Sequence, residues 1–309
     1  MSRWETVVAQ PDELGESPFW HLQERMLYWV DIQARQVHRT DPQQGKVESW
    51  SVPSEPGCIA PATGGGFVMG LRDGIYRARG WGDAPQLLVR IDHDAGTTRF
   101  NDGKADPVGR FWAGTMYEPR DARKARLYCI DLRAGNGNGG RPRVDVKAGD
   151  AVIANGLAWS PDARTLYWAD TANHIVHAWD WDAASNVMTG QRVFQQFPPK
   201  PAGWKPGEPG YGGRPDGAAV DSEGNYWCAM YEGGRVLQFA PSGELLAEIA
   251  VPVLCPTMPC FGGDDLKTLF VTSARHSRSP AELQAWPLSG CVFSTRVDVA
   301  GVPVNFVRV

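Results

Sequence analysis

A strong charge of one sign, a long apolar run and a cysteine framework are all missing from this sequence. Its 31 Lys and Arg against 35 Asp and Glu leave a formal net charge of -4 over 309 residues. That balance supplies no field to attract nucleic acid or an anionic membrane. No segment approaches the ~20 apolar residues that a helical bilayer span requires. The start, Met1-Ser2-Arg3-Trp4-Glu5-Thr6, lacks the apolar centre of an export signal, so a cytoplasmic location is expected. Cys58, Cys129, Cys228, Cys255, Cys260 and Cys291 are scattered, and reduced thiols are expected of them. Cys255 and Cys260 in CPTMPC have no second pair to complete a zinc site. GxSxG, HExxH and Walker sequences are absent too.

Glycine, proline and tryptophan are abundant, at 35, 24 and 13 residues. Many chain reversals and many flat rings to bury favour short strands over long helices. The decisive feature is an internal repeat. Residues 16–31, ESPFWHLQERMLYWVD, align without a gap on residues 155–170, NGLAWSPDARTLYWAD, an offset of 139. Trp20 falls on Trp159, Leu27-Tyr28-Trp29 on Leu166-Tyr167-Trp168, and Asp31 on Asp170. Weaker copies occupy residues 58–70, 101–114, 216–229 and 257–272; the first of these is one residue shorter than its neighbour and the last is longer.

Each copy reads as strand, Gly/Pro/Asp turn and aromatic or β-branched strand, with further strands such as 37–39, 75–77, 126–129, 176–179 and 236–239 following. Copies begin near residues 16, 58, 101, 155, 216 and 257. A four-stranded propeller blade takes about 40–50 residues. The reading is therefore an all-β, six-bladed β-propeller forming one domain over residues 1–309. A β-sandwich, which needs no internal period, is disfavoured. Residues 3–8 are expected to complete the last sheet and remove an open edge.

Equivalent blade positions converge on the propeller axis. The first position of the six copies reads Glu16, Cys58, Asn101, Asn155, Asp216 and Thr257. Two carboxylates brought together repel unless a cation neutralises them. Carboxylate and amide oxygens suit Ca²⁺, Mg²⁺ or Mn²⁺, with Zn²⁺ or Fe²⁺ also possible. One divalent cation is expected in the channel, among Glu16, Asn101, Asn155 and Asp216. The plain alternative is a ring of turn caps bridged by channel waters.

The segments LGESPFW (14–20), RFNDGKAD (99–106), NGLAWSPD (155–162) and RPDGAAVD (214–221) resemble the senescence-marker-protein/gluconolactonase family, over residues 14 to about 275. The resemblance implies a six-bladed propeller with one channel cation, on ligands matching Glu16, Asn155 and Asp216. It also implies substrate contacts at Arg99, Asn101 and Glu118, and hydrolysis of a sugar-acid lactone to the aldonic acid. A cation there would polarise the ester carbonyl and acidify a water ligand. Asp216 is the expected proton acceptor, with direct attack by a deprotonated water ligand as the alternative. Arg99 would hold lactone hydroxyls and the developing oxyanion, and Glu118 would accept hydroxyl hydrogen bonds. A surface salt bridge is the plain alternative for Arg99 and Glu118.

Two insertions stand out. Residues 198–215 are a Pro/Gly-rich loop ending at Asp216, read as a lid, a binding wall or a rigid excursion. Residues 134–143 read as a hairpin tip. His174 and His177, three apart on an expected strand, would face opposite ways and share no metal. The competing functions are a phosphotriesterase-like propeller hydrolase, which needs an apolar pocket, and a non-catalytic calcium-binding propeller. The expected partner is a small sugar lactone, and a monomer is expected of a closed propeller.

Overall fold

The aromatic repeat of the sequence is reproduced in hydrogen-bond register. The structure, a computed structural model, describes residues 4–133 and 141–309. Glu16 pairs with Val30, Phe19 with Tyr28 and Trp20 with Leu27. The residues 139 positions on pair the same way: Asn155 with Ala169, Ala158 with Tyr167, Trp159 with Leu166. Even the caps match. Asp31 accepts the backbone N–H groups of Glu13 and Leu14, as Asp170 accepts those of Val152 and Ile153.

The described residues form six four-stranded antiparallel sheets, the blades of a propeller. Blades 1 to 6 open with Gly15–His21, Cys58–Pro61, Thr98–Ala105, Ala154–Trp159, Arg214–Val220 and Pro256–Gly262. These first strands pack against one another around the axis and are almost wholly buried. Fourth strands such as Gln86–Arg90 and Leu245–Ala250 lie at the exposed perimeter. Glu5–Val8 pairs with Val292–Arg296 and completes the sixth sheet, as expected from residues 3–8. The ring is thus closed by strands from distant parts of the chain, with Glu5–Val8 as the outer strand of the sixth blade.

Packing between blades is aromatic. Trp112 of blade 3 meets Trp159 and Trp181 of blade 4 edge-on, at ring-centre distances of 5.6 and 6.1 Å. The turn after the first strand explains the recurring Asp-x-x-Gly-x-aromatic-Trp pattern. Asp106 accepts the backbone N–H groups of Val108 and Arg110 and the Trp112 indole, at 2.8–2.9 Å. Asp221 holds Glu223, Asn225 and Trp227 in the same way. Gly109 within that turn has φ of 93°, a conformation that a side chain disfavours.

On that same face the chain end runs as a strap. Ser222 N–H donates to Ala300 O, Gly301 N–H to Leu266 O, Val307 N–H to Pro61 O and Arg308 N–H to Gly109 O, all at 2.8 Å. It spans from blades 5 and 6 to blades 2 and 3. All six cysteines are buried and free, as expected. The expected hairpin tip at 134–143 lies mostly outside the described residues. One expectation needs correction: His174 is not on a strand with His177. It ends the short 3₁₀ turn Thr171–Asn173 in a left-handed conformation and hydrogen-bonds Tyr211 at 2.8 Å.

Candidate active site

The first strands of five blades carry a register break at or beside the ring position, a β-bulge that turns side chains toward the axis. Breaks fall between Glu16 and Phe19, Phe100 and Gly103, Asn155 and Ala158, Pro215 and Ala218, and Pro256 and Pro259. Blade 2 pairs regularly from Cys58 onward and has no break. That missing residue is the one by which its sequence copy is short. Blade 2 accordingly places only the Cys58 thiol at the ring, where burial pushes its pKa up.

The expected residues meet at the end of the channel opposite the strap. Glu16, Asn101, Asn155 and Asp216 are all buried and line one cavity of about 320 Å³ with Arg99 and Glu118. Asn155 Nδ2 donates to Asp216 Oδ1 at 2.6 Å and to Thr171 Oγ1 at 2.8 Å. Asn101 Nδ2 donates to Asn155 Oδ1 at 2.9 Å and to Ala154 O at 3.0 Å. Asn101 Oδ1 in turn accepts from Arg99 Nη1 at 2.8 Å. Gly156, with φ of 61°, lets this turn form: a Cβ there would lie 2.4 Å from the Tyr226 hydroxyl.

The electrostatics ask for a cation. Burial, then Asp216 and Asp102, hold the Glu16 carboxyl well above the usual carboxylate range. Burial also raises Asp216, against the opposing pull of Arg214 and Arg99. Asp102 adds a third buried carboxylate: Oδ2 accepts from Leu157 N–H at 2.8 Å, while Oδ1 has no hydrogen-bond partner among the described residues. Carboxylates gathered in a low-dielectric channel resist ionisation unless a counter-charge joins them. Glu16, Asn155 and Asp216 offer only hard oxygen donors, so the residues present fit a divalent ion. Asn155 and Asn101 would contribute through Oδ1.

Arg99 and Glu118 occupy the wall above this floor, on blade 3. Arg99 is buried, and its Nε lies 3.8 Å from Glu118 Oε1 without a hydrogen bond. Glu118 is partly exposed and is gripped by Arg72 of blade 2 at 2.9 and 3.1 Å. The Arg72 guanidinium keeps Glu118 below the usual carboxylate range. The salt bridge raised as a plain alternative is therefore present, within the cavity wall.

Several residues of the site escaped sequence reasoning: the lining residues Thr171, Arg214, Tyr231 and Arg278, and Arg72 behind Glu118. Two had visible signals. Arg214 sits two residues before Asp216 within RPDGAAVD, and Arg278 belongs to the basic stretch Arg275-His276-Ser277-Arg278 after the second strand of blade 6. Thr171 and Arg72 had none. The 198–215 loop is pinned by Lys200 to Glu232, by Tyr211 to His174, and by Arg235 to Gly212 O. Only its end, at Arg214, reaches the cavity lining.

A second acidic group lies outside the channel. Ligand atoms of buried Asp12, Asp31 and His38 fall within 4.8 Å of one another. Asp31 is already filled by N–H groups of Glu13, Leu14, Gln33 and Ala34. Asp12 takes the Trp29 indole at 2.8 Å, and His38 bonds Ser49 at 2.8 Å.

The sequence signature of the SMP-30/Gluconolactonase/LRE-like region matches residues 14–275. This chain belongs to that family. Among family relatives, the 6-deoxy-6-sulfogluconolactonase of Pseudomonas putida is 45% identical over 295 residues, covering 96% of this chain and 95% of that protein. Regucalcin of Xenopus laevis is 35% identical, with 96% of each chain covered. The crystal structure of regucalcin from Agrobacterium tumefaciens, described as a calcium-binding protein, superposes with a TM-score of 0.88 at 25% identity over 100% of this chain and 98% of that one. A gluconolactonase from Xanthomonas campestris, 21% identical, shares the fold with a TM-score of 0.73 over 96% and 90% of the two chains.

Proposed function

We propose that this protein hydrolyses a sugar-acid lactone to its aldonic acid with the help of one divalent cation. The observation that carries the reading is the buried constellation of Glu16, Asn155 and Asp216, a charge-deficient oxygen site beneath a wall of Arg99 and Glu118. Family membership, and the lactonase named among its relatives, support the same class of reaction. A cation bound by Glu16, Asn155 and Asp216 would polarise the lactone carbonyl and lower the pKa of water.

The protein's own groups supply the rest. Arg99 is held in place by Asn101 Oδ1 and Phe100 O, leaving its Nε free of any hydrogen bond within the described residues. The guanidinium lines the cavity, and its Nη2, held only by Met116 Sδ at 3.3 Å, can bind a lactone hydroxyl or the oxygen on which negative charge develops. Glu118, kept ionised by Arg72, accepts hydroxyl hydrogen bonds and so favours a polyol. Asp216 takes the proton of the attacking water as the C–O bond to the carbonyl carbon forms. The ring C–O bond then breaks, and that proton returns to the departing ring oxygen as the new hydroxyl. Asn155 positions Asp216 through its 2.6 Å hydrogen bond. The charged, hydrogen-bonding wall favours a lactone over an apolar triester. The chain is proposed to work as one domain.

The test is proton release from aldono-1,4- and 1,5-lactones by metal-stripped protein, before and after adding Ca²⁺, Mn²⁺, Zn²⁺, Mg²⁺ or Fe²⁺. Spontaneous ring opening is subtracted. Metal-dependent turnover that disappears in Asp216→Ala is the expected result. Cation binding with no turnover of any lactone would leave a calcium-binding propeller without catalysis as the better description.

A further inference from the structure

The mouth of the cavity is asymmetric in a way that a neutral lactone does not explain. On the blade 3 side, two cations, Arg72 and Arg99, stand against two carboxylates, Glu118 and Glu55. On the far side, from blades 5 and 6, cations outnumber their partners. Buried Glu232 faces Lys200 at 2.9 Å, Arg278 at 2.9 Å and Arg214 at 3.5 Å. The remaining carboxylate there, Glu282, accepts from Arg278 at 3.3 Å and otherwise caps its own helix, Pro280–Ala285. At this rim two carboxylates thus stand against three cations, with Asp216 on the channel floor drawing on Arg214 as well.

The donors of these arginines are also underused. Arg278 bonds Glu232 and Glu282 through Nη1 alone, which leaves Nη2 without a hydrogen-bond partner among the described residues. Among the described residues the Arg214 guanidinium makes no hydrogen bond, only its 3.5 Å ion pair with Glu232. Both guanidinium groups lie over the face of Tyr231, 5.0 and 5.6 Å from its ring centre. That packing fixes their direction, and Arg214, Tyr231 and Arg278 all line the cavity. Exposed Arg120 at the rim adds a further cation that no carboxylate pairs among the described residues. An oriented guanidinium fork with spare donors is the group best matched to a planar or tetrahedral oxyanion.

We propose that the preferred lactone carries an anionic group, sulfonate or carboxylate, on its terminal carbon, held by Arg214 and Arg278 on the blade 5–6 side of the mouth. This rests on the lactonase reading and extends it to the substrate class. The reacting carbonyl then lies over Glu16 and Asp216, with ring hydroxyls toward Arg99 and Glu118 and the anionic end across the channel.

The experiment compares kcat/KM of the metal-loaded full chain for three substrates under constant ionic strength: 6-deoxy-6-sulfoglucono-1,5-lactone, a glucaro-lactone with a free C6 carboxylate, and neutral gluconolactone of matching ring size. The expected ratio of anionic to neutral substrate is above ten for at least one anion, and the larger ratio identifies which. Arg278→Gln should reduce that ratio at least threefold, acting mainly through KM, and Arg278→Lys should restore part of it. Calorimetric binding of the ring-opened sulfonate and carboxylate to wild type and to Arg214→Gln supplies a readout that needs no turnover, with weaker binding expected in the variant. A wild-type ratio below ten for both anions, or a ratio that Arg278→Gln leaves within threefold, overturns the proposal. Turnover of the neutral lactone in that case leaves the lactonase reading standing. Absence of turnover with all three substrates removes the reading beneath it.

Discussion

Two groups of buried carboxylates sit in this molecule, and only one has the character of a site. In the channel, Glu16, Asp102 and Asp216 gather with few donors to satisfy them. Outside it, Asp31 is filled with donors, and Asp12 gives one oxygen to the Trp29 indole and has His38 Nε2 3.4 Å from the other. Asp31 alone accepts four backbone N–H groups. Nearness of acidic atoms is shared by both, so nearness does not identify a cation site. Burial raises Asp12 as it raises Glu16 and Asp216, so the difference is unfulfilled demand: a carboxylate filled by donors is a fastening, whereas one short of them needs a counter-charge. Access adds to the contrast. The channel group opens on a cavity of about 320 Å³ with cationic walls, and the other opens on about 150 Å³ behind the first blade.

The largest effect should break the comparison most sharply. Asp216→Ala is expected to lower metal-dependent lactone turnover by about 10³-fold, the scale of losing a group that acts on the developing charge. Asp12→Asn should leave turnover per folded molecule within about threefold, read from initial rates normalised to native protein. Equal losses in both variants would show that the second cluster shares in the chemistry.

A pH experiment separates the two groups next. Burial lowers the His38 pKa to about 4, outweighing the attraction of Asp31. A base held neutral by folding contributes stability above its unfolded pKa, about 6.5, and loses it as pH falls toward about 4. Wild type should therefore lose up to about 3 kcal/mol more stability than His38→Gln across that window, measured by urea unfolding at each pH. Divalent cations should not change the difference. A difference that vanishes on adding cation would place a metal at His38 after all.

How much of this was legible in the sequence depended on whether a residue repeats. Glu16, Asn101, Asn155 and Asp216 were readable because a propeller turns one repeat position into one ring. The pairing of Glu16 with Val30 and of Asn155 with Ala169 follows from the same 139-residue offset. The bulges left one trace, the short copy at Cys58. Its meaning was hidden because a deletion in a strand looks like one in a turn. Contacts between loops of different blades left no trace. Nothing in the order of residues brings Arg72 to Glu118, or Lys200 and Arg278 to Glu232, since each pair is set by neighbouring blades meeting around the ring. Arg214 reaches Glu232 within the blade 5 hairpin, where it pairs with Tyr231. The Asp12–His38 cluster was equally invisible, because Asp12 precedes the first copy. His174 was misplaced because a 3₁₀ turn interrupts the chain between the second and third strands of blade 4.

Cation linkage should sharpen the contrast at a smaller scale. A divalent ion at about a hundred times its Kd should stabilise wild type by about 2.7 kcal/mol. Glu16→Gln should remove most of that gain in a thermal melt, and Asp12→Asn should keep it. Retention of the full gain in Glu16→Gln would move the ion away from the channel ring.

The smallest effect tests whether the repeat is energetic as well as geometric. Asp31 and Asp170 occupy the same place 139 residues apart, and each receives two N–H groups from the segment entering its blade. Converting either to Asn removes the charge and turns one acceptor into a donor facing N–H groups. Each substitution should cost about 2 kcal/mol, the range of hydrogen bonds to a charged group. Asp31→Asn and Asp170→Asn should therefore match within about 1 kcal/mol in urea unfolding. If the outer cluster were a cation site, Asp31→Asn would also abolish a metal-dependent share of stability, and Asp170→Asn, which has no histidine partner in that cluster, would not. Matching losses, with and without cation, make Asp31 a blade fastening like its twin and leave the channel as the place for the ion.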